Sequence, residues 1–151
     1  MLYQSERTRL IIERGIHLLN NAFGIDLGTS NIKIYNKAED AILVEKNMIA
    51  IENKKNLFAY GDSAFEMYEK APSNIQISFP LNNGVIADIK DMEVLVKYFI
   101  ADITKGKTAP ADYYVAVPTD VTEVEKRAFY DLIRDANVKA KKIMRVEKAV
   151  A

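Results

Sequence analysis

Apolar and polar residues alternate along the chain from about residue 22, which is typical of β-strands with one buried face. The first half of the sequence therefore reads as a series of short strands separated by turns. Strands are predicted over residues 23–26, 32–36, 41–52 (broken near Lys46–Asn47) and 58–60. A small excursion over about residues 53–80 contains a short helix at 63–70, which Pro72 stops, and strand pieces follow at 75–89 around a turn.

Helical periodicity enters the pattern after residue 90. A first helix is predicted from the 3.6-residue spacing of Met92, Leu95, Val96, Phe99 and Ile103. The nearly continuous apolar run at 113–118 predicts a buried strand, and 141–147 predicts the last strand.

A second helix is predicted between these last two strands. It opens at Thr122, with Glu125 at the spacing of a capping box, and ends near Asn137. The apolar residues expected on its buried face are Val121, Val124, Ala128, Leu132 and Ala136. The order of elements is thus β-β-β, the excursion, and α-β-α-β, which indicates an α/β protein.

Composition narrows the possible functions. The chain has 151 residues, about the size of one domain, and its 21 basic and 21 acidic side chains argue against a general nucleic-acid binder. There is no cysteine, and the single His17 cannot form a metal cluster. Without a signal-peptide pattern or a long apolar run, we expect a cytoplasmic location.

Residues 1–21 form a separate leader. Six apolar residues lie among three arginines, which predicts a short, partly amphipathic helix weakened by Gly15. This helix either packs on the domain or contacts a membrane surface or a partner. The apolar residues are Leu10, Ile11, Ile12, Ile16, Leu18 and Leu19.

The turn after the first strand is the best candidate for a functional site. Asp26 would lie at the carboxyl end of that strand, where open α/β sheets bind ligands. Gly28 allows close approach of the backbone, and the amides of Gly28, Thr29, Ser30 and Asn31 could converge on phosphate oxygens. Asp26 supplies a carboxylate for a magnesium ion held through its waters.

Lys33 follows the turn and shares one face of the second strand with Tyr35, so that it can lean back toward the same anion. A tight polar hairpin without a ligand explains the same residues, because such turns are common. "GKT" at 106–108 is not a P-loop, since the position of the first glycine is Ala101 within a predicted helix.

The stretch "IDLGTSN" (25–31) resembles the first phosphate loop of the superfamily that includes actin, DnaK-type chaperones and sugar kinases. "NNGVIAD" (82–88) and "VPTDVTEVEKRA" (117–128) resemble segments of the MreB family of bacterial actins. The similarity runs in unbroken order over about residues 23–151. It implies the first half of an actin-like, ribonuclease H-like ATPase domain: a mixed five-stranded sheet with flanking helices and a small inserted subdomain near 53–80.

The resemblance implies an ATP-binding protein that forms filaments beneath the membrane, acts with the cell-wall elongation machinery and helps determine cell shape. By position, Gly28, Thr29, Ser30 and Asn31 would contact the nucleotide phosphates. Lys33 departs from the usual MreB pattern, which is apolar there, and is similar instead to eukaryotic and plasmid-segregating actins, in which a lysine binds phosphate. Asp26 would organise Mg²⁺. The family continues through a second half with the other phosphate loop and the adenine pocket, so residues 22–151 would form one wall of the cleft.

The segment "VEKAVA" (146–151) departs from the family where a catalytic carboxylate is expected. Lys148 takes the position of the second glutamate of the family, the residue expected to position the attacking water. A lysine can bind phosphate but cannot act as a carboxylate base. A shift of one residue would bring Glu147 to that position. No catalytic residue is assigned from the sequence.

Three functions remain open at this point. The first is a nucleotide-dependent cytoskeletal ATPase of MreB type, and the second is a DnaK-like chaperone or kinase relative with the same loop. The third is an actin-like interaction protein that does not hydrolyse ATP.

Overall fold

The computed structural model of the protein describes residues 21–148. Strands and helices follow one another along this part of the chain in the expected order. They are β1 (Ala22–Leu27), β2 (Asn31–Asn36), β3 (Ala41–Lys46), β4 (Ile49–Glu52), β5 (Asn56–Tyr60), α1 (Asp62–Met67), β6 (Ile75–Ser78), β7 (Leu81–Asn82), β8 (Val85–Ile86), α2 (Ile89–Ile103), β9 (Ala111–Val117), α3 (Glu123–Asp135) and β10 (Ala140–Glu147).

β1 lies at the centre of a five-stranded sheet with the order β10-β9-β1-β2-β3. The pairs β1–β2 and β2–β3 are antiparallel, whereas β1–β9 and β9–β10 are parallel. The expected mixed five-stranded sheet is therefore confirmed. Because parallel strands end at the same edge of a sheet, the carboxyl ends of β1, β9 and β10 meet at one edge, where ligands bind in open α/β sheets.

The core fills the face of this sheet that α2 and α3 cover. The ring of Phe23 stacks on that of Tyr113 at a centroid distance of 5.2 Å. The buried hydroxyl of Tyr113 donates a hydrogen bond to the carbonyl of Val138 at 2.8 Å, and burial raises its pKa. All five residues predicted for the buried face of α2 are buried: Met92, Leu95, Val96, Phe99 and Ile103.

The predicted buried face of α3 is partly wrong. Val124 is 81% exposed, while Phe129 and Ile133, which were not predicted, are buried beside Leu132 and Ala136. The predicted residues are mostly four positions apart, and such a row drifts around a helix that has 3.6 residues per turn. The spacing of 3 and 4 residues from Phe129 to Ala136 keeps one face toward the sheet. The capping box of Thr122 and Glu125 is present.

A second sheet of three strands, in the order β5-β4-β6, lies beside α1 and overlaps the predicted excursion. Two hydrogen bonds join α1 to β3: the amide of Asp62 donates to Glu45 Oε2 at 2.8 Å, and the amide of Lys46 donates to Asp62 Oδ1 at 3.0 Å. α1 ends at Met67, earlier than expected, because Tyr68 is extended and Glu69 has a positive φ of 66°. The division into an inserted subdomain stays a prediction.

The predicted leader helix lies outside the described residues, apart from Asn21. Within residues 21–148, none of the three helices is both long and apolar enough to cross a bilayer.

Helix α3 offers a matched pair of substitutions that tests its observed face. We expect Phe129→Ala to lower the free energy of unfolding by about 3–5 kcal/mol, because it removes a buried ring and leaves a cavity. Val124→Ala should change it by less than about 0.5 kcal/mol, because the side chain is exposed. Urea denaturation followed by circular dichroism measures both, and equal losses would contradict the observed face.

Candidate functional site

The turn between β1 and β2 closes through its own backbone. The amide of Gly28 donates a hydrogen bond to the carbonyl of Asn31 at 2.9 Å. A Cβ atom at Gly28 would lie 2.6 Å from that carbonyl oxygen, which is closer than a side chain tolerates. Glycine is therefore required here because the backbone of the turn closes on itself, and its own amide is used inside the turn. The expected close approach to a ligand stays a prediction.

The outward donors of the turn are those of Thr29 and Ser30. Both residues are exposed, and no acceptor within residues 21–148 takes their backbone amides or their hydroxyl groups. Two adjacent free amides and two hydroxyls at the carboxyl end of a strand form a local concentration of anion-binding donors. Of the four amides expected to converge, that of Gly28 is used inside the turn, while those of Thr29 and Ser30 have no acceptor within residues 21–148.

Asn47 holds this turn in place through two hydrogen bonds. This role was not predicted from the sequence. Its side chain is fully buried, and its amide nitrogen donates to the carbonyl of Gly28 at 2.8 Å. Its backbone amide donates to the carbonyl of Ser30 at 3.0 Å. The break in the strand pattern at Lys46–Asn47 was the available signal, because a buried asparagine at the end of a strand needs polar partners.

Asp26 and Lys33 lie opposite each other on paired strands, on the face of the sheet away from the helices. Lys33 is exposed, and within the described residues it forms no ion pair. It remains available to an anion held at Thr29 and Ser30.

The partner of Asp26 is Lys148, which follows β10. The ammonium nitrogen of Lys148 lies 2.6 Å from Asp26 Oδ1 and 3.3 Å from the carbonyl oxygen of Leu27. Asp26 Oδ1 is shielded from water, and the ammonium is its polar contact within residues 21–148, although the carboxylate as a whole is 42% exposed. Lys148 is anchored by its backbone amide, which donates to the carbonyl of Val117 at 3.0 Å.

A magnesium ion at Asp26 does not fit this arrangement. Magnesium is usually held by one or two carboxylates together with phosphate oxygens and water. Here a cationic side chain already occupies one oxygen of the expected carboxylate. No group of three or more metal-ligating side chains forms anywhere in residues 21–148.

Glu147 faces the helices and is removed from the turn. Its carboxylate accepts a hydrogen bond from Lys126 of α3 at 3.1 Å, and this bond raises the pKa of Lys126. Consecutive residues of a strand point to opposite faces, so Lys148 and not Glu147 turns toward Asp26. The alternative placement of Glu147 as the catalytic carboxylate does not agree with this geometry.

A shallow groove of about 420 Å³ leads from Asp26 and Lys33 across the face of the sheet that no helix of residues 21–148 covers, here called the uncovered face. Most of its lining is apolar, with Tyr114 and Ile42 among the exposed residues. The hydroxyl of Tyr35 donates to Asp40 Oδ1 at 3.0 Å, which raises the pKa of Tyr35. Apolar residues on both faces of 41–44 are the sequence signal for this surface.

Two solved structures have the same fold as the described residues. The MreB5 protein of Spiroplasma citri bound to ADP superposes with a TM-score of 0.73 at 30% identity, covering 85% of this chain and 38% of that one. The same protein bound to AMPPNP gives a TM-score of 0.75 at 28% identity. The fold is therefore that of an actin-like protein, as the resemblance implied.

Sequence comparison defines the family. Residues 20–151 match the family model described as MreB/Mbl protein, and the chain belongs to this family. It is 36% identical over 107 residues to the cell shape-determining protein Mbl of Bacillus subtilis, covering 70% of this chain and 32% of Mbl. It is 31% identical over 142 residues to MreB of Escherichia coli, covering 89% of this chain and 40% of MreB. The chain thus spans about a third of these relatives.

Replacing Asn47 tests its role in the turn. We expect Asn47→Ala to lower the free energy of unfolding by about 1–3 kcal/mol, because it leaves the carbonyl of Gly28 without a partner in a poorly hydrated position. In NMR spectra, the amides of Thr29 and Ser30 should shift most. Asn56→Ala, at an exposed position of β5, is the control and should leave both unchanged. If the amide signals of the turn are unchanged in Asn47→Ala, Asn47 does not hold the turn in place.

Proposed function

We propose that this chain supplies the phosphate-binding wall of an actin-like nucleotide site in a cytoskeletal, cell shape-determining protein. The observation that carries the proposal is the β1–β2 turn, with free donors at Thr29 and Ser30 and a lysine, Lys33, on the neighbouring strand. The turn lies at the carboxyl edge of the sheet, where open α/β sheets bind ligands.

ATP is the nucleotide that we propose. The MreB5 structures were solved with ADP and with AMPPNP, and this chain is 30% and 28% identical to them over the matched part. The phosphates would contact Thr29, Ser30 and Lys33, while Gly28 and Asn31 maintain the shape of the turn. The magnesium expected from the resemblance is not part of the proposal, because Lys148 already holds Asp26.

We propose further that these residues bind nucleotide without promoting its hydrolysis. Within residues 21–148, Asp26 and Glu147 are the two carboxylates that the sequence placed near the phosphates. Asp26 is paired with Lys148, and Glu147 is bonded to Lys126 beside α3. Of the three functions left open by the sequence, this arrangement favours an MreB-type protein that binds nucleotide without hydrolysing it. Membership of the MreB/Mbl family argues against a chaperone or kinase relative.

The wider role of the protein is proposed from its membership of the MreB/Mbl family. We propose that the protein acts in the cytoplasm, that it associates with itself into filaments in a full-length context, and that it works with the cell-wall elongation machinery. Residues 1–20 are the proposed point of contact with a membrane surface.

Nucleotide affinity is the direct test of the site. We expect calorimetric titration of the 151-residue chain with Mg-ATP to give weak binding in the millimolar range, about −4 kcal/mol, because one wall of a cleft leaves much of the ligand in water. NMR titration should place the interaction at Thr29 and Ser30. Micromolar affinity would contradict the single-wall account, and shifts confined to other residues would contradict the site.

Lipid binding tests the proposed role of the leader. Three arginines against Glu6 and Glu13 give residues 1–20 a net charge of only about +1, and each basic residue near an anionic surface contributes about 1 kcal/mol. We expect weak, salt-sensitive co-sedimentation with anionic vesicles and none with neutral vesicles. A chain lacking residues 1–20 is the control. Strong binding that persists in high salt and vanishes with the deletion would make the leader a true anchor.

A further inference from the structure

Lys148 contacts two oxygen atoms at the carboxyl end of β1. Its ammonium group lies 2.6 Å from Asp26 Oδ1 and 3.3 Å from the carbonyl oxygen of Leu27. To reach them, the side chain extends from the end of β10 past β9, and the backbone bond to Val117 holds its base in place. The contact therefore joins the two strands that flank β9 at the edge of the sheet where the turn lies.

These two atoms are the kinds of oxygen that a hard divalent cation takes as ligands, a carboxylate and a backbone carbonyl. A lysine ammonium group offers one positive charge and three N–H donors on a flexible stem. The ammonium group donates a hydrogen bond to the carbonyl of Leu27 and forms an ion pair with Asp26, and within residues 21–148 it has no further oxygen partner. A divalent cation at Asp26 would have to displace the ammonium group or accept a like charge a few ångströms away.

We propose that Lys148 is a built-in cation for the phosphate turn, so that this chain binds a nucleoside polyphosphate without a divalent metal at Asp26. The proposal rests on the proposed function of the turn and names its ligand as the metal-free nucleotide. The free N–H of Lys148 donates to a phosphate oxygen, while Asp26 and Leu27 hold the ammonium group in position. Lys33, opposite Asp26, adds a second positive charge.

The test compares nucleotide binding with and without magnesium, using the isotope-labelled 151-residue chain. ADP is added in excess EDTA or in excess Mg²⁺, and the amides of Thr29 and Ser30 are followed by NMR, which detects millimolar affinities. We expect similar apparent affinities, within a factor of about two, because the cation at Asp26 belongs to the protein. A titration with Mg²⁺ alone should leave the Asp26 carboxyl signal unshifted.

Lys148→Met keeps a long side chain and removes the charge. We expect it to weaken ADP binding in EDTA by about tenfold, because a charge-assisted hydrogen bond to phosphate is lost. Adding Mg²⁺ should recover part of the affinity, since Asp26 is then free. Lys142→Met is the matched control, because Lys142 is an exposed lysine of β10, six residues before Lys148 and on the same face of the sheet by alternation. It should bind ADP as the unaltered chain does.

The outcomes separate this inference from the function on which it rests. If ADP shifts the turn amides only when Mg²⁺ is present, the phosphate site stands and the built-in cation is wrong. Unchanged binding by Lys148→Met in EDTA also overturns it. If ADP shifts no turn amide under either condition, both the inference and the proposed site fail. The comparison of EDTA with Mg²⁺ in the unaltered chain decides the question even if the variant does not fold.

Discussion

The alternation of side chains along β1 is the constraint on which the rest of the structure depends. Phe23, Ile25 and Leu27 point into the core beneath the helices, and this leaves Asp26 on the opposite face. A shift of one residue in the pairing with β2 would exchange the two faces, bringing a carboxylate into the core and three large apolar side chains out of it. The burial energy of the core therefore also determines where the charge of the site lies.

The segment from the end of β3 to Met48 connects this sheet both to the second sheet and to the turn. Glu45 and Lys46 are hydrogen-bonded to Asp62 of α1, and Asn47 is bonded to Gly28 and Ser30. The amide of Gly61 donates to the carbonyl of Met48 at 2.9 Å. A movement of the small sheet would thus be transmitted to the turn through four consecutive residues.

Elements with strong periodicity could be predicted from the sequence, whereas contacts between distant segments could not. The strands before residue 60 were predicted from the alternation of apolar and polar residues, and α2 was predicted from the spacing of its buried residues. Both predictions were possible because burial repeats with the period of the backbone. The buried face of α3 was misplaced, since Val124 is apolar but lies in the first turn, away from the sheet. Polar pairs such as Asn47 with Gly28 have no periodic signal.

Within the candidate site, the turn was recognised because its residue types are local and contiguous. The partner of Asp26 is 122 positions away at Lys148, and only the parallel pairing of β9 with β1 and β10 brings the two together. The resemblance placed Lys148 where the family has a carboxylate, but the direction of its side chain required the register of β10.

The uncovered face of the five-stranded sheet also bears on the colloidal behaviour of the chain. Ile42 is 71% exposed and Val44 is 52% exposed on β3, which is an edge strand of the sheet within residues 21–148. An apolar edge of this kind invites pairing between molecules unless charge keeps them apart. With no net charge near neutral pH, long-range repulsion is minimal. Solubility should therefore be lowest near the isoelectric point of about 6.6 and rise as the solution becomes more alkaline.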